Sequence, residues 1–206
     1  KKGYYDKAKT KFLRALELDE NLVQAKINIA TLYQLEGNED KADQIYNDLA
    51  KEQKGNPEVL FRRSTLAFKQ ENFQEGWRYF ENRWKVFPLN KTIWPIQNKT
   101  LWKGEKGGRV VLWKEQGIGD QIILLSLVPE VQEMCGSVSV YVDPRLHSLC
   151  KRTMPETNFI SDENALKREN FDYHLSLGSV PGLVRNNIRD FDRTVTGYLK
   201  ADPQRV

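Results

Sequence analysis

Cysteine and histidine are scarce, with two of each in 206 residues. Cys135 and Cys150 belong to no Cys-x-x-Cys pair and to no spacing that would bring a histidine beside them around a metal. Read as ordinary reduced thiols, they favour a cytoplasmic protein. Long apolar runs are also missing. None approaches the roughly 18 residues that a membrane-spanning helix requires, so no span is expected. The chain has no initiator methionine and no apolar signal region, and it opens on Lys1-Lys2-Gly3 inside a repeat, so its native start is expected further upstream. No basic block gathers the 32 Lys and Arg residues, which are scattered among 28 Asp and Glu. The net charge of +4 is therefore assigned to solvated helix faces, and nucleic acid is not expected as a partner. No Asp-x-Asp pair is present to hold a catalytic metal, and His147 and His174 are read as structural or surface residues.

What the chain does have, in its first 86 residues, is a period. Ala8, Ala42 and Gly76 are spaced by 34, as are Phe12, Tyr46 and Phe80, and Gly3, Gly37 and Glu71 keep the same register. That spacing is the period of the tetratricopeptide repeat, a pair of helices that cross at small residues with an aromatic filling the groove one turn further on. Between Val23 and Leu35 the apolar residues recur at helical spacing, Gly37-Asn38 breaks the helix, and Lys41 to Ala50 resumes it. The expectation is one helix followed by two helix pairs, a scaffold for a protein partner without chemistry of its own. In the last helix, read as continuous through Trp84, Trp77 and Trp84 would share one face. They would either bury the end of the array or offer a platform for stacking on carbohydrate.

Composition changes at Phe87. Prolines and glycines interrupt residues 87–108, read as a linker that carries Trp94 and Trp102. From Arg109 to Val206 the pattern alternates. Arg109 to Lys114 reads as a buried parallel strand, Gln121 to about Cys135 as a helix, and Ser137 to Val142 as a second strand. A helix over Pro144 to Thr153 and strands near Asn158 to Ser161 and Asp172 to Leu177 complete a doubly wound α/β sheet. The fold class is thus helical repeats followed by a Rossmann-like α/β domain.

Ligands of such sheets sit beyond the carboxyl ends of the strands, where this chain has Glu115-Gln116-Gly117-Ile118-Gly119-Asp120-Gln121. Two glycines allow a sharp turn and a close approach to amides at a helix N-terminus. The turn lacks the third glycine of a dinucleotide fingerprint and the Lys-Ser/Thr of a P-loop. Asp120 has two readings, a helix-capping carboxylate or a general base.

The ordered set Glu75-Gly76-Trp77, Arg83-Trp84, Trp102-Lys103-Gly104 and Glu115 to Asp120 resembles bacterial tetratricopeptide proteins whose C-terminal part is like glycosyltransferase family 9, the heptosyltransferases. The match continues through Val142-Asp143-Pro144-Arg145-Leu146 and Tyr198-Leu199-Lys200-Ala201-Asp202-Pro203. Leu175-Ser176-Leu177-Gly178 departs from the Ser-Leu-Pro common in relatives. The resemblance implies a GT-B fold of which residues 109–206 are the acceptor-side half. It makes Asp120 the base of an inverting sugar transfer, and Glu115, Gln116, Gly117, Ile118, Gly119 and Gln121 the residues around the acceptor. It implies no cofactor beyond a nucleotide-sugar donor, which a second half outside these residues would bind, so the 206-residue chain alone is expected to be inactive. The competing class is a non-catalytic scaffold or adaptor.

Overall fold

A computed structural model describes residues 2–87, 99–193 and 197–204. Two units, 1–88 and 89–206, make up the chain. The first is all helical: α1 (Lys2–Leu18), α2 (Val23–Leu35), α3 (Glu39–Glu52), α4 (Pro57–Lys69), α5 (Phe73–Phe80) and the single turn α6 (Arg83–Val86). Local chemistry sets several of these boundaries. Asn56 opens α4 by accepting from the amides of Glu58 and Val59 at 3.0 and 3.4 Å, and Pro57 sits where a missing N–H is harmless. Asn72 caps α5 in the same way through Glu75 N.

The period has a structural counterpart. Gly37 and Glu71, one period apart, both take left-handed backbone after a helix, with φ of 77° and 58°. Glycine adopts that conformation freely, whereas Glu71 does so against a strain of about 1–2 kcal/mol. Gly3, the third member of that column, lies inside α1 instead. Ala42 and Tyr46 are fully buried and share a core with Ile27, Ala30, Leu49, Val59 and Leu66. The Tyr46 hydroxyl lies 3.1 Å from Thr31 Oγ1 and donates to Gln34 Oε1 at 3.3 Å, which satisfies the one polar atom of a buried ring. At Gly76 the requirement is spatial: a Cβ there would lie 2.4 Å from the Phe68 ring, so α4 and α5 approach closely only because that atom is missing.

The last helix is not continuous. α5 ends at Phe80, because the Asn82 side chain and backbone amide both bond to the Tyr79 carbonyl at 3.0 Å and tighten the chain into a turn. Trp77 and Trp84 therefore do not share one helical face. Trp77 packs on Phe68 and Phe80, with ring centroids 4.3 and 5.9 Å apart, inside the α4–α5 pair. Trp84 stacks on the Arg83 guanidinium at 3.9 Å and donates from Nε1 to Glu81 at 3.1 Å.

The second unit holds a five-stranded, all-parallel sheet in the order β1-β5-β2-β3-β4, built from β1 (Thr100–Leu101), β2 (Arg109–Trp113), β3 (Ser137–Tyr141), β4 (Asn158–Ile160) and β5 (Tyr173–Ser176). The chain winds outward from β2 to β4 and then returns to insert β5 between β1 and β2. The interrupted stretch 87–108 thus contains an edge strand and the buried Trp102, whose indole donates to Glu105 O at 3.0 Å. Of the expected linker, Pro88, Trp94 and Pro95 lie outside the described residues. Alternation along the strands sends Val110, Leu112, Val138, Val140 and Leu175 into one core with residues of α7 (Ile118–Leu125), α8 (Val128–Met134) and α9 (His147–Thr153). On the opposite face, Trp113 Nε1 donates to His174 Nδ1 at 3.2 Å, and burial holds the imidazole below its ordinary pKa.

The helix expected over 121–135 is two helices. α7 starts earlier, at Ile118, and ends at Leu125; α8 begins at Val128 with Pro129 in its first turn. Proline has no N–H to bond the Leu125 carbonyl and its ring crowds that carbonyl, so the chain stops one helix and starts another. Short helices α10 (Glu163–Arg168) and α11 (Pro181–Val184) complete the unit.

Candidate functional site

β2 lies between β3 and β5, where the strand order reverses direction, and the turn that follows it emerges at that switch point. Lys114 N donates to Tyr141 O at 3.0 Å, prolonging the β2–β3 ladder by one bond before the chain turns. Its ammonium sits 4.8 Å from the centre of the Tyr141 ring. Gly117, in extended backbone with φ −60° and ψ 171°, is the residue before α7.

Neither glycine of the turn takes positive φ, so the sharp-turn argument made from the sequence does not apply here. Nor does crowding require either glycine, since a Cβ would fit at both. A Cβ on Gly117 would lie 3.4 Å from Asp120 Oδ2, so the carboxylate folds back over the bare backbone, and nothing lies within 4 Å of the corresponding point on Gly119. Asp120 is exposed in the first turn of α7. Among the described residues it accepts no hydrogen bond and forms no ion pair, and α7 has no side-chain cap. Gln116, Gly117 and Gly119 are exposed alongside it, with Glu115 and Ile118 half-buried.

Gln121 differs from its expected place among the acceptor contacts. It is 2% exposed and both ends of its amide are engaged by backbone. Nε2 donates to Gln116 O at 3.0 Å, and Oε1 accepts from Asp143 N at 3.0 Å. The side chain ties the turn after β2 to the turn after β3, which fixes the turn that carries Asp120.

Sequence reasoning gave no role to the charges at the neighbouring strand end. Asp143 accepts from Arg145 N at 3.0 Å and from Arg145 Nε at 2.9 Å. The guanidinium bonds, with the backbone amide and the nearby Lys114 adding to them, hold its carboxyl at about 2. The signal was present as Asp-Pro after a strand, a helix-opening pattern. At the end of β5, Ser176 Oγ accepts from Ser179 N and donates to Ser179 Oγ, each at 3.2 Å. The two histidines are occupied structurally, His174 by Trp113 and His147 by Phe159 O at 3.1 Å.

No family model matches the chain. Protein FlbA of Caulobacter vibrioides is 27% identical to it over 174 residues, which are 74% of this chain and 29% of FlbA. The chain thus spans less than a third of the length of that relative. Among the described residues no helix is long and apolar enough to cross a membrane.

Proposed function

We propose that the α/β unit is the acceptor-binding half of an inverting glycosyltransferase, with Asp120 as its general base. The observation that carries this reading is the open carboxylate of Asp120 at the carboxyl end of a central parallel strand, beside glycines that leave the backbone uncovered. A helix-capping carboxylate would be bonded to the first amides, and Asp120 is not. In the proposed step Asp120 takes the proton of the acceptor hydroxyl as that oxygen attacks the anomeric carbon of a nucleotide sugar. The bond from that carbon to the diphosphate breaks on the opposite face. Glu115, Gln116, Gly117, Ile118 and Gly119 line the acceptor's approach, and Gln121 holds their turn in place. The cations that stabilise the departing diphosphate are assigned to a second α/β half. The helical unit, with its 34-residue period and close helix crossings, is read as a tetratricopeptide array that holds a protein partner.

The test is Asp120→Asn in the longest natural form of the protein, assayed against a panel of nucleotide sugars and acceptor glycans. Turnover is expected to fall by about 100-fold or more while the circular dichroism spectrum stays the same. Full turnover in that variant would return Asp120 to a structural role. Sugar transfer by residues 1–206 alone would overturn the assignment of the donor site to a second half. A natural protein that transfers no sugar yet retains a protein partner through its helices would establish the adaptor reading instead.

A further inference from the structure

The helix that carries Asp120 is fastened at Ile122, in its second half, by a residue 76 positions away in the sequence. In a continuous helix the Ser126 amide would bond to the Ile122 carbonyl. Here it goes to Ile123 O at 3.3 Å, and the Leu127 amide goes to Leu124 O at 3.1 Å, because the chain is turning toward Pro129. The Ile122 carbonyl is thereby released from the ladder, and the Tyr198 hydroxyl donates to it. The Tyr198 ring packs against the core of the α/β unit, and burial, with Cys150 nearby, pushes its hydroxyl up to about 12, so it is protonated and a donor at neutral pH. The next turn of the same segment is anchored on α9. Lys200 N donates to Thr153 Oγ1 at 3.2 Å, and Arg152 Nε donates to Lys200 O at 3.1 Å.

We propose that Tyr198 is a positioning residue: by capping the Ile122 carbonyl it makes the strap of residues 197–200, α9 and the Asp120-bearing helix α7 one mechanical body. Gln121 and Ile122 are consecutive residues in the middle of the eight-residue α7: the Gln121 side chain ties the helix to the turns after β2 and β3, and Tyr198 ties the Ile122 carbonyl to the strap, so the helix behind Asp120 is held at two adjacent points. The segment that leaves α9 after Lys200 is then a lever on that helix. The mechanical statement stands by itself, and its effect on turnover rests on the transferase reading.

Amide hydrogen exchange of the 206-residue chain tests it, comparing Tyr198→Phe with the control Leu199→Ala, whose side chain is 40% exposed. Tyr198→Phe removes one hydroxyl and leaves the ring. Amides of Ile118 to Leu125 are expected to exchange about three- to ten-fold faster, the range of one lost neutral hydrogen bond, with β2 and β3 unchanged. Leu199→Ala is expected to leave α7 as it was. Unchanged exchange in α7, or acceleration spread evenly over β2 and β3, would overturn the proposal. In the longest natural form, Tyr198→Phe is expected to lower kcat with little change in KM, as misplacing a base does. Faster exchange with both constants unaltered would show that Tyr198 does not position Asp120. A wild-type protein without turnover would remove the transferase reading alone, leaving the exchange result to decide the role of Tyr198.

Discussion

The two units are held together over different distances along the chain. In the helical unit the bonds that join elements span about one repeat or less: Thr31 to Tyr46 over 15 residues, Lys26 to Glu52 over 26, Lys69 to Glu39 over 30. In the α/β unit several reach much further. Trp113 meets His174 over 61 residues, Arg109 meets Asp172 over 63, Glu130 meets Arg185 over 55, and Ile122 meets Tyr198 over 76. Short, recurring contacts leave a period in the sequence, because each repeat must solve the same packing problem again. Long contacts are each made once, so their partners carry no mark that pairs them, and loop-closure entropy opposes them until much of the sheet is in place.

Three measurements would break or sharpen that contrast. The largest effect is expected from Leu112→Ala, in β2, a strand that lies between β3 and β5, where the residue is 0% exposed. The cavity should lower the stability of the α/β unit by roughly 2–5 kcal/mol, read from denaturant unfolding and from exchange of the β2 and β3 amides. A loss below about 1 kcal/mol would mean that the sheet tolerates the hole by collapsing and is less tightly packed than described. Ala42→Leu makes the opposite error in the helical unit, forcing a large side chain into a crossing where the alanine is 0% exposed. It should cost roughly 1–3 kcal/mol, and a melting curve identical to wild type would contradict the register of the repeats.

The smallest effect concerns acid. Asp143 and Asp172 are held at about 2, against an ordinary 3.8, by the guanidinium bonds of Arg145 and Arg109 and by the backbone amides of the same residues. A folded-state pKa below the unfolded value means that these carboxylates favour the fold above about pH 4. That contribution is lost as pH falls from about 4 to about 2. The Arg109–Asp172 pair is exposed, and the half-buried Asp143 is paired with an exposed Arg145, so solvent screens both and a shallow acid limb is expected in the stability of the α/β unit. Arg145→Gln should raise the titration midpoint of Asp143 toward 3.8, followed by carboxyl NMR shifts; a midpoint that stays near 2 would assign the depression to something other than the guanidinium.

Part of the helical unit could be read in advance: Ala42, Tyr46 and Gly76 are buried, while Ala8, Phe12 and Phe80 of the same 34-residue columns are half-buried. The break after Phe80 could not, because it depends on Asn82 preferring its own carbonyl partner to another helical turn. In the second unit the strands near 109, 137, 158 and 173 were legible as apolar runs, and residues 117–120 were legible as the passage from a strand into a helix. The two-residue strand β1 was hidden by the prolines and glycines around it, although Trp102 was a hint that the segment enters a core. Gln121 and Tyr198 look like ordinary polar and aromatic positions in the sequence, and their roles arise only from distant backbone groups that arrive beside them.

The sequence by itself determined most of the helical stretches, the strands β2 to β5 and where a carboxylate stands after a strand, because those features follow from local periodicity, capping and turn chemistry. Only the tertiary structure decided that β5 enters between β1 and β2, and that Asp120 stands open while Gln121 is enclosed. It also decided that a tyrosine from the far end of the unit fastens the helix that carries both. The reason is physical: local propensities act over a few residues and are written in neighbouring letters. The order of strands and the partner of a freed carbonyl are settled by which distant surfaces bury one another best.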